Sequence, residues 1–462
     1  MRATKERRRP VVDALLDQLI DENGIERDRV LEGISTLLTR KPWLLELVKR
    51  DLLANQRAPR KGRPGLSAEC VLRFAVLMRL RNWTYREAYS RVSDSLNLRQ
   101  FVRWGLGVLP KVDAFNRAIL RLSPATLDQI NGVLVRTAVT LDVEDGSRSR
   151  VDTTVTETNI HYPTDSSLLR DCVRVLTRQV KHICDREPDL VTGFANRMGR
   201  VKRLSRRIDE AARKRGDDRT TVLRQCYREL LAVVRAVSTK ALIVAAAAKT
   251  SMDLAVQGFA AAIEHYGAIT EQVMVQTRRR VFLDDPLAAS AKLVSIFETH
   301  TQIICRGKVH KPTEYGRKLF LAQGGSGLIT DFSVLEGNTA DVTLVAPALQ
   351  HHQRLFKRAP SELAGDRGFF SAENVTRAEA AGVGVVSIPK PGYKSAKQVE
   401  LEGTREFRRA QRWRAGIEGT ISALKRGRGL TRCSWRGDRG LRVLVGLAVV
   451  THNLTILSAS FA

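Results

Sequence analysis

Residues 148–159 read RSRVDTTVTETN, and the fold class turns on this stretch. Val151, Thr153 and Val155 fall on one side of an extended chain, and Asp152, Thr154 and Thr156 on the other. β-branched residues fill a pleated surface well, so the alternation predicts a strand. An acid inside such a run is unusual. Upstream of it the chain reads as helix, and helical composition returns from about residue 165 to 297. Strands resume only beyond residue 300, so the strand at 148 belongs to a sheet whose other members lie far along the chain.

Helices are expected at roughly 10–22, 27–38 and 42–54, followed by RAPRKGRPG (57–65), a basic linker of Pro, Gly and cations. Ser67 is placed as an N-cap before the apolar run Cys70, Val71, Phe74, Ala75, Met78. In TYRE, Thr84 and Glu87 have capping-box spacing. Two short capped helices with a tight break resemble a helix-turn-helix, as many helical hairpins do. Ser123-Pro124 opens a further helix to about Ala138.

Downstream, TQIICRG (301–307) reads as a strand, and RKLFLA (317–322) with LITDFSVL (328–335) as a hairpin. GNTAD (337–341) opens a helix, and ELAGD (362–366) and VGVVSIP (383–389) are short strands. The basic loop PKPGYKSAK leads to a helix carrying Glu418. The apolar segment 441–459 contains Arg442, His452 and Asn453, which favours a buried helix over a membrane span. Strands grouped between helices indicate an α/β domain with a mixed sheet. The expected layout is a helical region at 1–56 and a linker at 57–66. A helix-turn-helix-like DNA-binding domain at 67–140 precedes an α/β domain at 148–164 and 298–440. A helical insertion fills 165–297, and an apolar helix occupies 441–462.

A chain of 462 residues exceeds one ordinary core. Its 77 Lys+Arg against 49 Asp+Glu give a net charge of +28, which favours a polyanionic partner. Nucleic acid is the first expectation; a membrane surface or ribosomal partner is the plainer alternative. Six scattered cysteines without a CxxC argue against a zinc site or a disulfide framework and suit a reducing cytoplasm. The N-terminal MRATKERRRPVVDALLDQLID lacks the apolar stretch of a signal peptide.

Three acids stand where chemistry could use them: Asp152 within the first strand, Asp366 at the end of ELAGD, and Glu418 in WRAGIEGTISALKRGRG (413–429). On one continuous helix Arg414, Glu418 and Lys425 share roughly a 40° arc. Each acid has a plain structural reading: Asp366 as a turn residue, Glu418 as one half of a surface ion pair. As a set they suit metal-assisted phosphoryl transfer, because Mg²⁺ prefers hard oxygen ligands and two ions need only two or three carboxylates. Glu157 falls on the opposite strand face from Asp152, Asp165 looks like a helix cap, and Glu298 and Asp331 are candidate outer-shell groups.

Several stretches in order resemble the DDE transposases of bacterial insertion sequences, most closely the ISNCY type. They are GRPGLSAECVLRFAVLMRLRNWTYREAYSRV (62–92), VDTTVTETNIHYPTDSSLL (151–169), SIFETHTQII, YGRKLFLAQGGSGLITDFSVLEGNTAD and ELAGDRGFFSAEN. Related transposases carry a signature of Tyr, two residues, Arg, three residues, Glu, six residues, Lys or Arg. Arg414, Glu418 and Lys425 match its last three positions, while Gln411 stands at the tyrosine. The resemblance implies a ribonuclease-H-like catalytic domain using two Mg²⁺ ions, with Mn²⁺ as a substitute. It makes Asp152, Asp366 and Glu418 the metal ligands, with Arg414 and Lys425 near the transferred strand. The function it implies is binding of terminal inverted repeats, followed by cleavage and strand transfer into target double-stranded DNA, in a homodimer. Further cations expected on DNA are Arg426, Arg428, Lys390, Lys394, Arg60, Lys61, Arg63, Lys202, Arg203, Arg206 and Arg207. The competing expectations are a ribonuclease-H-like nuclease or resolvase without strand transfer, and a non-catalytic DNA-binding protein.

Overall fold

The structure, a computed structural model, describes residues 10–54, 65–214, 218–305 and 312–461. The expected linker cations Arg60, Lys61 and Arg63 lie outside the described residues. The chain divides into two compact units, Met1–Thr158 with Gly316–Ala462, and Asn159–Tyr315.

The first unit opens with α1 (Pro10–Glu22), α2 (Arg29–Arg40), α3 (Trp43–Leu53), α4 (Ala68–Leu80), α5 (Tyr85–Asp94), α6 (Leu96–Phe101), α7 (Val112–Ile119) and α8 (Pro124–Thr140). Side-chain caps start α4, α5 and α8 where the sequence places them. The Ser67 hydroxyl accepts from Cys70 N, Thr84 and Glu87 close a capping box, and Ser123 caps α8 with Pro124 in its first turn. β1 (Arg148–Thr158) follows.

The second unit holds α9 (Asp165–Cys184), α10 (Met198–Arg213), α11 (Arg219–Ala248), α12 (Leu254–Phe282) and β2 (Gln302–Cys305). Its helices close around one apolar cluster that includes Leu169, Leu176, Leu230, Val234 and Ile263. Asp165 is not the cap of α9. Thr164 is, accepting from Ser167 N, and Asp165 is the first helical residue, buried and ion-paired with Arg280.

β3 (Thr313–Gly324) crosses the boundary between the units. After it come β4 (Ile329–Val334), α13 (Val345–Phe356), β5 (Glu362–Ala364), α14 (Ala372–Ala380), β6 (Val385–Ser387), α15 (Ala396–Gly403), α16 (Arg405–Ala415), α17 (Ile417–Gly427), β7 (Arg432–Cys433) and α18 (Gly437–Ser458). The sheet is mixed, as expected: β3 and β4 are antiparallel, β3 runs antiparallel to β1, and β5 runs parallel to β1 and to β6. β1 pairs with β3 along most of its length. Its other edge meets β5 only at Arg148–Arg150 and β7 only at Glu157–Thr158. The middle of that edge, around Asp152, is therefore left to the turn after β5 and to the helices after β6.

Alternation along β1 sorts the two layers. Val151 packs with Phe320, Ala322 and Phe369 under α13 and α14, whereas Leu319 and Leu321, on the Asp152 face, pack with Leu424 of α17 and Val445 of α18.

The N-terminal helices are not a separate domain. α18 is buried along most of its length: Val443, Leu447, Val450 and Leu454 pack with α2, α4 and α8, and Leu441, Leu444 and Val445 pack with the sheet, so it links the helices to the strands. α4 has eleven buried residues out of thirteen, so in the helix-turn-helix-like pair only α5 presents a solvent face. α11 and α18 are both long and apolar enough to cross a membrane by length and composition, yet each supplies core residues to its own unit.

His352 fastens α13 to the turn before β1. Its ring Nε2 lies 3.0 Å from the carbonyl of Gly146, a glycine at φ +68° whose Cβ would strike the Phe356 ring. Burial pushes the imidazole down to about 4. Between that value and the ordinary value near 6.5, the unfolded chain takes up a proton that the folded chain refuses. This contribution is complete above about pH 6.5 and is lost as the pH falls toward 4, by up to about 3 kcal/mol. Urea melts across that range should show the slope, and His352→Gln should flatten it.

Candidate active site

Asp152 sits on the central strand with its side chain 8% exposed. Its Oδ1 accepts from Thr153 N at 2.7 Å, and its Oδ2 accepts from Arg414 Nη2 at 2.7 Å. Asp366 follows β5, which runs beside β1. Its Oδ1 accepts from Gly368 N at 2.8 Å and starts a short 3-10 turn, while its Oδ2 lies 3.9 Å from Arg414 Nη2. Glu418, in the first turn of α17, lies with Oε1 3.9 Å from Arg414 Nη1. Three acids from distant parts of the chain thus converge on one guanidinium. Their exposure grades outward, 8%, 36% and 72%.

The turn-residue reading of Asp366 and the ion-pair reading of Glu418 both describe contacts that are present. Neither accounts for the convergence. An ordinary surface pair gathers two charges, whereas this cluster brings three carboxylates to one cation that is only 16% exposed.

Arg414 and Glu418 do not share a continuous helix. α16 ends at Ala415 and α17 begins at Ile417, with Gly416 between them. At this point Arg150 Nη1, reaching from β1, donates to the carbonyl of Trp413, which also accepts from Gly416 N in the tighter last turn of α16. A Cβ on Gly416 would stand 2.5 Å from the same Arg150 nitrogen, so a larger residue there would displace the guanidinium. Lys425 is two turns beyond Glu418, roughly 10 Å along the axis, and lines a different cleft. The shared arc of Arg414, Glu418 and Lys425 therefore does not aim all three at one point, and Arg414 is engaged by the acids.

Arg148 and Arg150 were not singled out from the sequence. They lie on the Asp152 face, four and two residues before it, and stack on the Trp413 ring at 4.0 and 4.7 Å. The strand alternation was a sufficient signal for both. Gln411, at the tyrosine position of the signature, donates from Nε2 to the carbonyls of Gly365 (3.1 Å) and Ser387 (2.6 Å). It ties α16 to the residue before Asp366. Gln411→Leu should lower stability by about 1–3 kcal/mol in urea melts, because two buried carbonyls lose a donor.

The other expected DNA contacts divide by environment. Lys202, Arg203, Arg206 and Arg207 are exposed on α10. Arg428 is half-buried, with its guanidinium donating to Leu80 O and Thr455 Oγ1. Lys394 is paired with Glu402 at 2.7 Å, and the backbone nitrogen of Lys390 donates to the same carboxylate. Asp331 opposes Ala322, which opposes Val151, so it lies on the sheet face away from Asp152 and beside His351. Glu298 lies in the second unit, where its backbone nitrogen donates to Ser295.

Carboxylate oxygens suit a divalent cation such as Mg²⁺. Among the described residues, however, no group of three or more His, Cys, Asp or Glu side chains is close enough to hold an ion. The oxygen donors are of the right type, but here the three acids are gathered by the guanidinium of Arg414 and not spaced around an ion position.

An acid cluster on a mixed sheet, with a basic chain around it, is the setting in which the comparisons with known proteins fall. Residues 292–454 match the model of a family described as the transposase DDE domain, and this match supports a DDE transposase. It takes in Asp366, Arg414 and Glu418 and leaves Asp152 and the N-terminal helices outside. Neither the curated proteins nor the solved structures returned a match.

Proposed function

We propose that this chain is a transposase that binds the terminal inverted repeats of an insertion sequence, cuts DNA at the element ends and joins them to target DNA. The observation that carries the reading is the convergence of Asp152, Asp366 and Glu418 on Arg414, in a chain whose 292–454 segment matches the transposase DDE domain. These three acids would hold two divalent ions, Mg²⁺ first and Mn²⁺ as a substitute. When bound, such ions activate an attacking oxygen and stabilise a leaving one in an in-line displacement.

The side chains have graded parts in this. Asp152 is held by the strand and by Thr153 N, so it sets a fixed point. Asp366 is pinned through one oxygen to its own turn, leaving the other toward the cluster. Glu418, the most exposed, has the most freedom to adjust. Arg414 keeps the carboxylates together and carries charge suited to a phosphate beside them. The exposed cations of α10 supply sequence-independent attraction for duplex backbone, so affinity should fall steeply with salt. The active form is a homodimer that pairs two ends, working in the cytoplasm.

The test incubates the full chain with Mg²⁺, labelled element ends and plasmid target. Joined products support the transposase; cleavage without joining supports a nuclease or resolvase; bound, intact duplex supports a non-catalytic DNA-binding protein.

A further inference from the structure

Away from the carboxylates, the end of α4, the α4–α5 turn, the end of α17 and β7 enclose a cleft of about 810 Å³. Its walls combine two features. Arg79, Lys425, Arg426, Arg432 and Arg436 line it, and among the described lining residues there is no Asp or Glu. Beside them stand Trp83, Tyr85 and Trp435, the last two with stacked rings 5.7 Å apart.

The inner wall also carries polar atoms without partners. Arg79 is only 6% exposed and sits 5.8 Å over the Trp435 ring. Its Nη atoms donate to the carbonyls of Arg428 and Trp83, but its Nε is buried without a hydrogen-bond acceptor among the described residues. The Tyr85 hydroxyl is buried and unpartnered in the same sense. Both atoms lie too deep for a ligand to reach and belong to the packing of the inner wall, so the groups a ligand can meet are the exposed cations and the aromatic faces. The close approach that builds the cleft is specific: a Cβ on Gly429, at φ +80°, would lie 2.6 Å from Arg79 Nη1 and 2.8 Å from Asn82 Oδ1.

We infer that this cleft binds one nucleotide, with the base against Trp83, Tyr85 and Trp435 and the phosphate on Arg426 and Arg436. A duplex groove would use the cations alone, since its bases are stacked within the helix. Aromatic faces beside an acid-free basic rim suit an unstacked base joined to a phosphate. The size is that of a small-ligand pocket. The nucleotide comes from an unpaired strand or from the free pool, which are the same chemistry. Only the strand source rests on the transposase reading.

The test follows tryptophan fluorescence of the full chain on titration with dAMP, with inorganic phosphate, and with duplexes that are blunt or carry a three-nucleotide 5′ overhang. Saturable dAMP binding is expected, at least about 10-fold tighter than phosphate, since stacking adds to charge. Arg426→Ala with Arg436→Ala should weaken it about 10-fold; both side chains are exposed, so the fold is spared. Trp83→Leu should abolish the advantage over phosphate. Competition by the overhang duplex and not the blunt one assigns the source to a strand, and competition by neither assigns it to free nucleotide. The inference is overturned if phosphate competes as well as dAMP, if the double variant binds like wild type, or if nothing saturates. Strand joining with no nucleotide binding would sink this inference alone; nucleotide binding with no cutting or joining would sink the transposase alone.

Discussion

Asp152→Asn should leave a folded protein that binds element-end DNA like wild type and has lost strand cutting and joining by on the order of 10³-fold. The same result is expected for Asp366→Asn and for Glu418→Gln. Each exchange is nearly isosteric and removes one negative charge from a cluster in which the three carboxylates lie 2.7, 3.9 and 3.9 Å from one guanidinium. Binding should survive because the cations proposed to hold the duplex are elsewhere, on the exposed face of α10. Gel assays of labelled ends measure cutting and joining, and mobility shifts measure binding. An Asn or Gln variant that cuts at the wild-type rate removes that residue from the proposed site.

Arg414→Ala carries the second large effect, on stability. Asp152 is almost fully buried, and its Oδ2 is held by Arg414. Removing the cation leaves a buried carboxylate without its counter-charge, with two more acids near it, which should cost about 3 kcal/mol. Melting measured without divalent ions should show this loss, and Mg²⁺ should recover more stability in the variant than in wild type. Arg414→Lys should fall between the two, because an ammonium keeps the charge but not the two-armed reach. An unchanged melting temperature in Arg414→Ala would mean that the cluster does not depend on this cation.

Much of this architecture was readable from local pattern. The alternation in RSRVDTTVTETN identified β1 and put Asp152 and Glu157 on opposite faces, and the β3–β4 hairpin appeared where its apolar runs and GGSG turn indicated. Helix starts at Ser67, Thr84 and Ser123 followed from capping chemistry that acts within three residues. What was not readable depends on contacts between distant segments. The break falls at Gly416, a poor helix residue, but the arginine on β1 that packs against it and donates to the Trp413 carbonyl could not be read from spacing. The N-terminal helices join the sheet's unit because α18 packs against them with one side and against the sheet with another. Thr164 displaces Asp165 as cap because Arg280 claims the aspartate. The acids were legible as candidates, but their common centre on Arg414 was not, since one-dimensional spacing could only place that cation beside Glu418.

The most direct measurement is a Mn²⁺ titration of the full chain followed by electron paramagnetic resonance of the free ion, comparing wild type with the Asp152→Asn, Asp366→Asn double variant on the same element-end duplex. Loss of the free-ion signal in wild type, with its return in a double variant that still binds the duplex, is the result these carboxylates predict. Equal Mn²⁺ uptake by both proteins would contradict a metal site built on Asp152, Asp366 and Glu418.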